Sequence, residues 1–111
     1  IMSKKLEAKT AQEEPDAKFG METVLLDNDT TRISKWVFQP GEQTGWHLHN
    51  WDYVTIQQSG GCLKIVAADG TARMVDYTPG VTNYRQAPIE HNARNVSDVI
   101  VKVLEIEYKS H

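Results

Sequence analysis

Two of the chain's four histidines, His47 and His49, stand one residue apart in the stretch TGWHLHN, and a third, His91, lies in PIEHN. Imidazole is the commonest protein ligand for transition metals. Along a β-strand the side-chain direction repeats every two residues, so His47 and His49 point to the same side. Side by side they can grip one ion, or they can be two polar residues on a wet face. His91 follows a second strand-like run, so the histidines of the folded region come from two β segments distant in sequence. Carried forward, the alternation puts positions 47, 49, 51 and 53 on one side. Tyr53 then neighbours the pair, and Asp52, the nearest carboxylate, faces away unless a bulge intervenes. The straightforward reading is a three-nitrogen metal site of His47, His49 and His91 with Tyr53 beside it. His111, the last residue, carries no functional weight.

Such a site would take one divalent transition metal, Fe, Ni, Zn, Mn or Cu, because imidazole accepts all of them. Three neutral ligands on one side of an ion leave positions open for water or substrate. With zinc, an open site lowers the pKa of bound water from about 15.7 to about 7. With Fe(II), it can bind O₂ and substrate together. Tyr53 has three roles open to it: a phenolate ligand, a proton donor beside the metal, or an aromatic that fills the interior. Its ordinary pKa of about 10 disfavours the phenolate.

The elements that must position these residues are short. ETVLLD, TTRISKWVFQ, YVTIQQ, CLKIVAAD, TARMVDYT, VTNYRQA and VIVKVLEIEY are rich in Val, Ile, Thr, Tyr and Trp, and DND, QPGEQTG, SGG, DGT, TPG and NVSD separate them. Asp69-Gly70 between two such runs is a strong hairpin signal. No long helical period appears, so the pattern predicts an all-β sandwich or barrel. In the last run Val99, Val101 and Val103 share one face while Ile100, Leu104 and Ile106 share the other. A strand apolar on both sides needs a second covering layer, and a partner subunit, in a homodimer, is one candidate. Residues 1–20, rich in Lys, Glu and Ala and broken by Pro15, form a separate zone: a flexible tail, or one laid across a neighbouring subunit. The domain is expected over residues 21–111.

With 111 residues the chain suits one domain able to bury a core without disulfides. The net charge of −3 and the lack of a basic stripe argue against nucleic acid as a partner. The apolar runs are too short to span a membrane. Cys62 is the sole cysteine, which fits a reducing, cytoplasmic setting.

The segment PGEQTGWHLHNWDYVTIQQSGG resembles the first motif of the cupins, small metal-binding β-barrels. Gly41, His47, His49 and Gly60 fall on its positions, and Tyr53 stands where the family has a glutamate ligand. GVTNYRQAPIEHNARN resembles the second motif through Gly80, His91 and Asn95, with Gln86 at the proline position and Pro88 at a glycine position. The two motifs and their flanking strands cover most of Met21 to Tyr108. The likeness is greatest to a subgroup of short single-domain cupins with TGWHxH followed by DYV, some described as β-alanine-degradation proteins. The resemblance implies a double-stranded β-helix, or jelly-roll barrel, with the three histidines as ligands. Thiol dioxygenases of the same superfamily also use three histidines and no carboxylate.

Without the glutamate the centre keeps more of its positive charge, which favours an anionic small-molecule substrate that ligates it directly. Arg32 and Arg85, on strands expected to line the barrel, are candidates for holding such a substrate, as is Gln57 on the Tyr53 face; a surface role is open to either arginine. Trp46, Trp51 and Tyr84 are candidates for the pocket wall. Glu90 could orient His91 or face solvent, and Asn95 could serve the turn or the reaction. The expected function is a metal-dependent enzyme of oxygenase or lyase/isomerase type, with Tyr53 as its proton donor. The alternative is a non-catalytic module that binds a small molecule or metal.

Overall fold

The computed structural model of the chain describes residues 18–109. The described residues form nine strands and no helix: β1 (Met21–Asp27), β2 (Thr31–Phe38), β3 (His47–His49), β4 (Asp52–Gln57), β5 (Cys62–Ala67), β6 (Ala72–Asp76), β7 (Thr82–Arg85), β8 (Ile89–Asn95) and β9 (Val101–Tyr108). They pair antiparallel into a five-stranded sheet, β1-β2-β9-β4-β7, and a four-stranded sheet, β3-β8-β5-β6. This is the double-stranded β-helix that the motifs implied. The expected hairpin joins β5 to β6. Gly70 takes φ 89 there, a left-handed conformation that glycine adopts without a Cβ penalty, and Asp69 Oδ1 accepts the Thr71 N–H at 3.0 Å.

The core lies between the sheets. Phe38, Leu63, Ala93, Val101 and Val103 are buried together, and Trp36 stacks on Phe38 with ring centroids 5.4 Å apart. Along β9 the inward positions read Val101, Val103, Glu105, Glu107, so the inner face of this strand is apolar at one end and acidic at the other. The opposite parity, Leu104 and Ile106, is half-buried. β1 is exposed along its whole length, with Met21, Val24, Leu25 and Leu26 among the exposed apolar side chains.

Glycine is needed one place beyond the motif's closing position. A Cβ on Gly60 would meet nothing closer than 4.0 Å. Gly61 takes φ 105, and a Cβ there would come within 2.6 Å of a Val101 methyl. Of the amino-terminal zone, residues 1–17 lie outside the described residues, as does His111. Its last residues are part of the fold: Phe19 makes a parallel bridge to Gln43, and Gly20 N–H donates to the Gln43 carbonyl at 2.9 Å.

Candidate metal centre

The loop ahead of β3 is tied to β8 by backbone hydrogen bonds, Gly41 N–H to Asn95 O and Thr44 N–H to Ala93 O, both 2.8 Å. That seam delivers β3 to the edge of the four-stranded sheet, where His47 pairs directly with His91. The parity argument holds within β3: Leu48 is exposed, and His47 and His49 turn inward. It does not hold as one continuous strand. The chain leaves the four-stranded sheet after His49 and enters the five-stranded sheet at Asp52. Tyr53 still reaches the interior, now from the facing sheet, and its ring stacks on His49 at 4.1 Å between centroids.

The three imidazoles converge on one point. His47 Nε2 lies 2.9 Å from His49 Nε2 and 3.1 Å from His91 Nε2. Their other nitrogens fix the tautomers. A carbonyl can only accept, so His47 Nδ1–H donates to Gly45 O at 2.9 Å, and His49 Nδ1–H is directed at the Glu107 carboxylate at 3.4 Å. Both Nε2 atoms therefore present bare lone pairs to each other at contact distance, an arrangement that calls for a cation between them. At metal–nitrogen distances of about 2.0–2.1 Å, ligands at right angles stand about 2.9 Å apart and tetrahedral ones about 3.4 Å. The two spacings from His47 Nε2 fall in that range, so the three rings could hold one ion between them. Glu107 supplies the carboxylate that commonly orients a ligating histidine. Burial lowers the His47 pKa and, with the neighbouring histidines, takes His91 down to about 3. The His47 and His91 rings are thus held neutral, the form that binds metal.

Two cavities meet at this cluster. The first, about 60 Å³, opens beside His47 and His91 and is lined also by Tyr53, Gln57, Tyr77, Arg73, Arg85 and Glu105. The second, about 340 Å³, opens beside His47 and His49 and carries Glu22, Arg32, Trp51, Glu105 and Glu107. Burial pushes the Glu105 carboxyl up to about 7 and raises the Tyr53 phenol well above its usual range. Tyr53 is therefore a phenol at neutral pH.

The other sequence candidates separate. Arg85 lines the first cavity. Gln57 lines it too, but its Oε1 accepts the Thr78 N–H at 2.7 Å. Arg32 lies in the second cavity between carboxylates, 3.8 Å from Glu22 and 3.9 Å from Glu107. Trp51 walls that cavity. Tyr84 instead projects outward and donates to Asp52 at 2.6 Å. Glu90 accepts from Trp46 Nε1 at 2.6 Å, a role neither of its expected alternatives included. Asn95 serves the turn: its Nδ2 donates to Phe38 O and Val99 O, and its Oδ1 accepts from Ser97. Arg73, Tyr77, Glu105 and Glu107 were not singled out from sequence. The signal was present, since Arg73 shares parity with Val75 and Tyr77, and the two glutamates share parity with Val101 and Val103.

A β-barrel of two antiparallel sheets with three convergent histidines defines a small cupin with a possible metal site, and the chain belongs to that family. It is 36% identical over 87 residues, 78% of its own length and 90% of the relative's, to the β-alanine degradation protein BauB of Pseudomonas aeruginosa. A crystallised cupin domain from Bordetella pertussis shares 34% identity with a TM-score of 0.81, over 87% of this chain and all of that one. A cupin from Methanocaldococcus jannaschii, at 20% identity and a TM-score of 0.68 over 86% of this chain and 84% of its own, shares the fold. No family model matches the chain.

Proposed function

We propose that the protein is a metal-dependent enzyme acting on a small polar metabolite, of oxygenase or lyase/isomerase type, with one divalent transition ion held by His47, His49 and His91. The observation that carries this reading is the pair of bare Nε2 atoms 2.9 Å apart with a third at 3.1 Å. Bound there, the ion would supply a Lewis-acidic centre with coordination positions left for water or substrate. Glu107 and the Gly45 carbonyl hold two of the ligand rings in the correct tautomer. Tyr53, a buried phenol against His49, is the proton donor of this reading. The relative's name ties it to β-alanine degradation, and a metabolite of that size suits the smaller cavity.

Elemental analysis of protein purified without added ions tests the site. One divalent transition metal per chain, lost in His47→Ala, supports it; a metal content unchanged by that substitution refutes it. Iron together with O₂ consumption in the presence of a short thiol or amino acid would specify an oxygenase. A zinc-loaded protein inert to a broad substrate panel would be a binding module instead. A Tyr53→Phe protein with its metal and full turnover would remove Tyr53 from the reaction.

The same reading makes the protein a cytoplasmic homodimer. The unpaired thiol of Cys62 supports a reducing compartment. The exposed apolar residues of β1 and the half-buried Leu104 and Ile106 support a second copy as cover. A monomeric mass by light scattering at working concentration would rule that assembly out.

A further inference from the structure

Arg73 and Arg85 reach the first cavity from different sheets. Arg73 is on β6, the edge of the four-stranded sheet, and Arg85 is on β7, the edge of the five-stranded sheet. Both arginines thus reach one cavity from edge strands of different sheets. Among the described residues neither guanidinium has a carboxylate within ion-pair reach, whereas Arg32, on the other side of the histidines, has two. Each charge is felt by the other groups of the cavity. Burial first, and then Arg85, pull the Arg73 pKa down. Two cations, the exposed Arg73 and the half-buried Arg85, turn towards one small space whose one carboxyl, Glu105, lies beyond ion-pair reach of both, and they repel each other until an anion joins them.

We propose that Arg73 and Arg85 form the recognition end of the pocket, taking the carboxylate of a short-chain acid whose other end reaches the histidine cluster. The planar, five-donor guanidinium matches a carboxylate in a two-point hydrogen-bonded pair, which favours this ligand over a neutral polar one. Size sets the chain length. If each water-sized unit occupies about 10–15 Å³, the cavity of about 60 Å³ accommodates about four to six non-hydrogen atoms. That is the bulk of a three-carbon acid. This inference names the substrate class for the proposed metal enzyme and rests on that reading for the role of the histidine end.

The test is calorimetric titration of the metal-loaded protein with propionate, propionamide and inorganic phosphate, metal content being measured on the same samples. The clamp predicts that propionate binds and its neutral amide does not. Arg73→Gln and Arg85→Gln should each weaken propionate at least about tenfold with metal content unchanged. Relief of the mutual repulsion should raise, or leave unchanged, the Tm of each ligand-free variant. Arg85→Lys, which keeps the charge but not the fork, should recover only part of the loss. Failure of the parent to bind propionate, equal binding of propionate and propionamide, or full affinity in the Arg73→Gln/Arg85→Gln protein would overturn the proposal. Tighter binding of phosphate than of propionate would overturn its carboxylate assignment. The metal reading fails separately. A protein without metal that still binds propionate through these arginines keeps the clamp and loses the enzyme.

Discussion

The two halves of β9 face the same interior and do opposite things. Val101 and Val103 pack with Phe38, Leu63 and Ala93 in the apolar core, which also walls the first cavity through all of these but Val101, while two and four residues further along Glu105 and Glu107 bring carboxyls to the histidine cavities. The pleat is the same and the neighbours are the same strands, β2 and β4. What changes is which property the interior is built for. The first half buries apolar surface, the main favourable term in folding. The second gives up that burial to hold ionisable groups whose desolvation works against stability. Fold and chemistry thus lean to different ends of one barrel while sharing the wall of the first cavity, and damage to one end should leave the other measurable.

The strongest challenge to that separation is Phe38→Ala. It empties a fully buried site stacked on Trp36 and should cost about 3–5 kcal/mol in urea unfolding, while whatever remains folded keeps its metal. A matching loss of metal affinity in the folded fraction would show that the halves are coupled. His47→Ala is the converse case. It should abolish metal retention, a loss beyond the roughly 10–100-fold typical of removing an orienting partner, and barely change the stability of metal-free protein.

Glu105→Gln comes next. Its carboxyl is raised to about 7 in the folded state, so the folded chain holds the proton more tightly than the unfolded one. Metal-free parent therefore loses this contribution as pH rises from about 4.5 through 7. The variant should gain about 1–3 kcal/mol over the parent above pH 7 and nothing below pH 4.5; equal pH profiles would count against the buried carboxyl. The smallest effect is expected for Glu107→Gln. Its contact with His49 is long, 3.4 Å, so metal affinity should fall only about tenfold, by competition with a chelator.

The sequence made this division partly legible. Spacing alone put His47 and His49 on one side, and the two-part motif brought His91 to them. Asp69-Gly70 marked its hairpin through the conformational freedom of glycine. Alternation states which residues share a face, but not which sheet a strand joins or which charges meet across the interior. The passage from one sheet to the other after His49 was invisible for that reason, although Tyr53 kept its side. So was the fate of the arginines. Arg32 and Arg85 read alike in sequence, yet one is met by Glu22 and Glu107 and the other by no carboxylate among the described residues. Glu90 was open to two readings and took a third, because its partner Trp46 lies on the far side of a β3–β8 pairing that only the folded register creates.

β3 is three residues long, lies at a sheet edge, and among the described residues is paired on one flank only, with β8. His47 and His91 oppose each other across that pairing, so an ion gripped by both would clasp the rim of the sheet shut. Chelation should then speed amide exchange around Leu48 ahead of the Phe38 core. With the rim loosened, the exposed Leu48 and an unzipped ladder would offer a template for unwanted strand addition. For this barrel, keeping the ion would also be a means of staying soluble.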